Sequence, residues 1–375
     1  MTTSPKAHAR LTDVITLQRG FDLPEAQRQD GSVPVVASTG IIGFHKEKRV
    51  DGPGVVIGRS GSIGGGQYIA EDFWPLNTTL WVKDFRTHNP RFVYYLLRNI
   101  DFTPFNAGVG VPTLNRNHLD SLLVPVFDCN QEQRIAEILS AYDDLIENNR
   151  RRMVLLEEAA RLLYREWFVR LRFPGHEHTR IVDGIPEGWE KKRLGDICTE
   201  IRETVLPQDL EAYTPYIGLE HMPRRSISLT EWATAEAVTS TKHRYKEGDI
   251  LFGKIRPYFH KVGIAFTNGV ASSDAIVIRP SANDHRSFVL MTVSSDEFVA
   301  ETAQTMREGS KMPRADWKLM TQYRILLPPH GLLDAFSTMI IDITRQLRTL
   351  CFQNQKLKAA QNILLPRLLS GDLVS

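Results

Sequence analysis

The stretch IENNRRRMVLLEEAARLLYREWF, residues 146–168, sits near the middle of a 375-residue chain and holds neither Gly nor Pro. Reading outward from it, Ile135, Leu139, Tyr142, Ile146, Asn149, Met153, Leu156, Ala160, Leu163 and Trp167 follow one another at alternating steps of four and three. That rhythm is the seam of a coiled coil, and the positions between are mostly Arg, Glu, Asp and Gln, a solvated face. Some 35 residues of helix make a rod of roughly 50 Å that cannot bury its own stripe. A second copy lies 201 positions further on. Phe336, Ile340, Ile343, Leu347, Leu350, Asn354, Leu357, Gln361, Leu364 and Leu368 carry the same stripe, and Pro366 is expected to end or kink that helix.

The two helices are expected to pair with each other. In a parallel pair, Asn149 would face Leu350 and Asn354 would face Met153, leaving an amide unpaired in each apolar layer at about 1–3 kcal/mol apiece. In an antiparallel pair with the stripe ends matched, Asn149 meets Asn354, a device that fixes register. The spacing therefore predicts an antiparallel pair; the alternative is that both Asn lie at the seam edge in water.

The segments before each helix repeat as well. LTDVITLQRGFDLP from Leu11 is answered by LGDICTEIRETVLP from Leu194, and GVVIGRSGSIG from Gly54 by GDILFGKIRPYFHKVG from Gly248. Each half then has a strand (TTLWVKD, DAIVIRP), a helical segment, a Gly-to-Pro turn (GVGVPTLNRN, GSKMPRADWK) and a short strand ending at proline (LLVPV, ILLPP). The inserts differ: VPVVASTGIIGFHKEKRVDGPG has no counterpart in the second half. The expected organisation is a globular domain over 1–128, a spacer helix over 129–175, a linker and second globular domain over 176–330, and a second spacer helix over 331–375. The fold class is α+β: two tandem α/β domains separated by an antiparallel coiled coil with approximate two-fold symmetry.

Composition narrows the function. With 42% hydrophobic and 24% charged residues and mean hydropathy −0.25, the chain reads as soluble and globular, long enough for two or three domains. No apolar run of membrane-spanning length is present, and MTTSPKAHARLTDV lacks a signal-peptide core, so a cytoplasmic location is expected. Three scattered cysteines, Cys129, Cys198 and Cys351, suit a reducing compartment. The net charge of +2 is nearly silent about partners, so any nucleic-acid site must come from local clusters.

Catalytic motifs fail one by one. GDILFGKI matches most of a phosphate loop, but Ile255 stands where Ser or Thr must ligate magnesium, and Pro257 opposes the helix such a loop needs. GRSGSIGGG from Gly58 leads into a strand. NPRF at Asn89 lacks the second proline of an amino-methyltransferase motif, no His/Cys cluster has metal spacing, and no nucleophile elbow is present. What remains suits DNA contact through loops of Lys, Arg, Asn and Ser. These are Lys46 and Lys48; Arg59 and Ser60; Thr113, Asn115 and Arg116; Lys254, Arg256, Tyr258, His260 and Lys261; and Ser310, Lys311 and Arg314.

NQEQRIAEILSAYDDLIENNRRRMVLLEEAARLLYREWF, the linker IPEGWEKKRLGDI, the GVVIGRSGSIG and GDILFGKIRP segments and the ILLPRLLSGDL ending together resemble the specificity subunits of type I restriction-modification systems. The resemblance covers almost the whole chain. It implies that each globular part is a target recognition domain reading half of a bipartite, asymmetric sequence in double-stranded DNA. It also implies that the helices space the half-sites and dock methyltransferase subunits, with restriction/translocase subunits as further partners. S-adenosylmethionine, ATP and Mg would then belong to those partners, and this chain would be non-catalytic, without metal or cofactor, serving defence against foreign DNA. Two other readings stay open on the residues alone: a self-contained DNA methyltransferase, and a coiled-coil scaffold that binds only proteins.

Overall fold

The computed structural model describes residues 5, 7–108, 110–304 and 313–372. It divides into two compact units: unit 1 comprises Met1–Glu147 with Asn354–Ser375, and unit 2 comprises Asn148–Gln353. Each long helix is thus shared between the units. The central helix runs Cys129–Tyr164 and gives way to a π turn over Arg165–Val169; the second helix runs His330–Ser370.

In unit 1 a four-stranded antiparallel sheet takes the order Thr16–Arg19, Thr79–Asp84, Gly54–Gly58, Gly64–Ile69. In unit 2 the order Cys198–Ile201, Ala275–Pro280, Ile250–Gly253, Val262–Ala265 repeats it, with Ser228–Leu229 added in parallel at the edge. A two-stranded ribbon recurs likewise: Ala7–Arg10 with Leu123–Val126, and Glu190–Arg193 with Arg324–Leu327. The tandem frame read in the sequence is this shared sheet order. The second sheets differ, as the unlike inserts require. Unit 1 has three strands built on the hairpin Val33–Ala37 and Gly40–His45, whereas unit 2 has five short strands.

Each core follows from the apolar patterning. In unit 1 the helix Pro90–Arg98 lays Phe92, Val93, Leu96 and Leu97 against Val55, Ile57, Leu80 and Val82 of the sheet. Asn89 starts that helix: its side chain accepts from the Arg91 and Phe92 N–H groups at 2.8 and 3.1 Å, so NPRF is a helix cap with Pro in the first turn. In unit 2 the helix His285–Val293 is buried from Ser287 onward, with Phe288, Val289, Leu290, Met291 and Val293 in the core.

The helices pair antiparallel inside both units. In unit 1, Ile135 and Leu139 share a core with Leu365, Leu368 and Leu369, while Gln361 donates to the Leu139 carbonyl at 3.1 Å and to Asp143 at 2.8 Å. In unit 2, Trp167 and Phe336 lie 5.8 Å apart, ring centre to ring centre, a pair that the antiparallel register puts together. Ile340 and Leu347 join a core that Ala160, Met153, Leu156 and Leu163 line. Tyr142, Ile146, Ile343, Leu350, Leu357 and Leu364 are likewise buried or half-buried. Asn149 and Asn354 are both buried too, so neither faces water at a seam edge.

Pro366 neither ends nor breaks the second helix, which continues to Ser370. Pro lacks an N–H and so leaves the carbonyl four residues earlier without its usual donor. The buried leucines on either side, Leu365, Leu368 and Leu369, hold the turn in place.

Candidate nucleic-acid interface

The glycine-rich loop of unit 1 is a turn between two strands. Gly61 and Gly64 have φ of 85° and 74°, and a Cβ at Gly58 would meet the Ser62 carbonyl oxygen at 1.9 Å. Its partner comes from far along the chain. Ser60 and Thr113 form a bridge, the Leu114 N–H donates to the Arg59 carbonyl at 2.7 Å, and the Gly61 N–H to that of Pro112 at 2.9 Å. Two clusters singled out separately in the sequence, Arg59 with Ser60 and Thr113 with Asn115 and Arg116, thereby become one surface. Asn115 caps the short turn Arg116–Leu119 by accepting from the Asn117 N–H, which leaves Arg116 exposed. Arg59 is half-buried and donates to the Asn77 carbonyl at 3.2 Å; burial and the nearby Arg19 charge weaken its hold on its proton.

Unit 2 makes the same join at the corresponding place. Ile255 and Arg314 form a bridge, the Arg256 N–H donates to the Pro313 carbonyl and the Ala315 N–H to that of Lys254, each at 2.9 Å. The phosphate-loop reading fails in three dimensions as it did in sequence: strand Ile250–Gly253 leads into a single 3-10 turn, Pro257–Phe259, with no helix N-terminus to cradle an anion.

The side chains around this join divide sharply. Arg256 and Tyr258 are exposed, and Arg314 is exposed beside Asp274 at 3.3 Å. Lys254 is committed inward: its ammonium donates to the Ser273 carbonyl at 3.1 Å and lies 3.8 Å from Glu200. Lys261 donates to the Leu219 carbonyl, and burial lowers its proton affinity. His260 is the clearest departure from the sequence reading. Its ring is buried, with Nε2 2.9 Å from the Ser294 carbonyl and Nδ1 3.5 Å from Asp296, so it offers no edge to a surface ligand. Ser310 and Lys311 lie outside the described residues.

Lys46 and Lys48 belong to a different loop, following the hairpin strand Gly40–His45. Lys46 is exposed, whereas Lys48 is held by Asp51 and Asp72 at 2.7 and 2.6 Å, which bind its proton more tightly than usual.

Two arginines escaped the sequence reading. Arg224, exposed, lies over the Phe259 ring at 4.0 Å, and Arg225 bonds Asp296 at 2.8 Å. They sit in the insert that has no counterpart in the first half; the adjacent pair after Pro223 was the available signal.

Among the described residues no three His, Cys, Asp or Glu gather as a metal site, and no helix is long and apolar enough to cross a membrane. Burial pushes the Cys198 thiol up to about 12. Fold and site together define a two-module protein with repeated sheet frames, unlike second sheets and a basic loop join in each module.

Comparison with known proteins places that class. Residues 5–158 match the family model described as the type I restriction modification DNA specificity domain. The specificity subunit of the type I restriction enzyme MjaIX of Methanocaldococcus jannaschii is 24% identical over 329 residues, spanning 82% of this chain and 75% of that protein. That of EcoDI from Escherichia coli is 22% identical over 346 residues, spanning 85% and 77%. The crystal structure of the S subunit of a type I system from M. genitalium shares the fold, with a TM-score of 0.63 at 14% identity over 98% of this chain and 99% of that one. Residues 5–158 thus match the DNA specificity domain of type I restriction-modification systems, and more than four-fifths of the chain is similar to the specificity subunits of such enzymes.

Proposed function

We propose that this chain is the non-catalytic DNA-reading subunit of a type I restriction-modification complex, and that its two units each read one half of a bipartite, asymmetric target. One observation carries the two-part reading: both units present the same loop join on the same sheet order, beside second sheets that differ. A common frame with unlike inserts suits two readers of one ligand class with different sequence preferences. In unit 1 the reading surface takes Arg59, Ser60, Thr113, Asn115 and Arg116, with Lys46 on a separate loop. In unit 2 it takes Arg256, Tyr258 and Arg314, joined by Arg224. Guanidinium, amide and hydroxyl groups of this kind hold phosphates and read base edges. The long helices serve as spacer and as seat for methyltransferase subunits. Restriction/translocase subunits join these, and the partners bring S-adenosylmethionine, ATP and Mg.

The test is to map methylated adenines in DNA from cells expressing the chain with its methyltransferase partner. A single bipartite motif that changes in one half when one unit is exchanged supports the reading and assigns each unit. With assembly verified, no motif at all would favour a protein scaffold.

A further inference from the structure

Among the described residues six that are not glycine have a left-handed backbone, and three of them meet in one place of unit 2. They are Arg225, Arg256 and His260, with φ of 55°, 49° and 54°. A Cβ makes this conformation unfavourable, and it persists where the surroundings over-determine it, most often at functional sites.

Here the surroundings are explicit. Arg256 and His260 bracket the single turn Pro257–Phe259, closed by the Phe259 N–H to the Arg256 carbonyl and the His260 N–H to that of Pro257, each 2.8 Å. The Arg225 N–H donates to the His260 carbonyl at 2.9 Å, joining the two loops. The central helix holds Arg225 from behind: Arg161 donates to its carbonyl at 2.8 Å, and Glu157 accepts from Ser226 Oγ at 2.7 Å and from the Ile227 N–H at 3.2 Å. The His260 ring plugs the turn into the body of the unit through Ser294.

The effect is outward. At the apex Tyr258 is 53% exposed, its ring edge-on to Phe259 at 5.0 Å, and exposed Arg224 and Arg256 lie over that Phe259 ring at 4.0 and 5.8 Å. A large aromatic held in water by a strained, well-anchored turn, with two guanidinium groups on the adjacent ring, has the form of a stacking platform for a nucleic acid.

We propose that Tyr258 packs against a nucleobase of the half-site read by unit 2, that Arg224 and Arg256 take the flanking phosphates, and that His260 is the positioning residue that sets the turn. This rests on the DNA-reading function proposed above. His260 acts without touching DNA. Substitution by glycine removes the ring while relieving the left-handed backbone, so His260→Gly separates anchoring from folding.

The experiment uses the full chain assembled with its methyltransferase partner and duplexes carrying the mapped target, with 2-aminopurine placed in turn at each position of the unit 2 half-site. Wild type and Tyr258→Phe are expected to share one position of altered fluorescence, because the ring and not the hydroxyl is used. Tyr258→Ala and His260→Gly should both lose that signal and bind about ten-fold more weakly. Discrimination at the other half-site should stay intact. His260→Gln, whose amide can donate to the Ser294 carbonyl, should restore the signal that His260→Gly loses. Wild-type signal and affinity in both Tyr258→Ala and His260→Gly would overturn the inference while leaving DNA reading standing, as would failure of the glutamine rescue. Loss of subunit assembly by Tyr258→Ala would make the apex a protein contact instead. A wild-type complex with no sequence preference would remove the DNA reading itself.

Discussion

Truncating Gln361 to alanine should loosen unit 1 where its two helix segments meet. Gln361 is 1% exposed; it donates to the Leu139 carbonyl and to Asp143, and its Oε1 accepts from Arg98 at 3.2 Å. Tyr95 donates to the other Asp143 oxygen at 2.6 Å, so one glutamine completes a network joining three helical segments. A hydrogen bond to a charged group contributes about 1.5–3 kcal/mol when its loss leaves the partner dry. Asp143 and Arg98 are each about a third exposed, and water can replace part of what they lose, which reduces each bond to about 1 kcal/mol. Lost methylene packing adds about 1 kcal/mol. The expected cost is therefore about 3 kcal/mol, a fall of about 6–12 °C in the melting of a unit of this size. Gln361→Leu keeps the volume but not the bonds and should lose about two-thirds as much. Thermal unfolding, with hydrogen exchange in peptides covering 90–98 and 135–143, measures both. A loss below about 0.5 kcal/mol for alanine, or a leucine variant as stable as wild type, would refute the network as a source of stability.

Asp249→Ala should destabilise unit 2 by about 2–3 kcal/mol in urea unfolding, below the full penalty for a buried pair because its partner is partly wet. Asp249 is buried, takes both guanidinium bonds of Arg279 at 2.7 and 2.6 Å, and accepts from the Lys246 N–H. The companion change Arg279→Leu in the Asp249→Ala background should recover part of that loss. Acid should weaken unit 2 by a defined route. Burial lowers the proton affinity of His260, which faces Asp296, Arg225 and Arg161, and of His243, which faces Lys254, Glu200 and Arg202. The unfolded chain takes up these protons at about 6.5 while the folded unit resists. Stability is then complete above that value and declines as pH falls through it, and His260→Gly should flatten the decline measured between pH 7.5 and 5.5. Charges at the seam, Leu156→Glu together with Leu357→Glu, should abolish helix packing and co-purification with the methyltransferase subunit; an assembled, active complex would contradict the helical seat.

The helices were legible because a seam announces itself in local spacing: the stripe from Ile135 to Leu163 needs no knowledge of what covers it. The repeat was legible too, and it foretold the shared sheet order, since like segments fold into like frames. What escaped depended on backbone conformation and on distant partners. Nothing in FHK says that His260 takes a left-handed turn and buries its ring under Ser294, because glycine or asparagine would be the usual residue there. Lys254 and Lys261 look like free cations until the carbonyls of Ser273 and Leu219 are brought to them. The Arg224–Arg225 pair was visible in the sequence, but its place beside the turn was not until Phe259, 35 positions away, came beneath Arg224. Pro366 does not end its helix, because the rule against proline in helices omits what flanking leucines contribute by packing.

The discontinuity of unit 1 has a consequence for biogenesis. Its sheets and first helices leave the ribosome early, yet Leu365, Leu368 and Leu369, which close its core, are synthesised only after all of unit 2. Unit 1 is begun first and completed last, so a nascent chain carries an open apolar face throughout synthesis of its other half, the interval in which aggregation competes with folding. A premature stop anywhere within unit 2 would also strip unit 1 of its closing leucines, making the integrity of the first reader depend on translation reaching the end of the second.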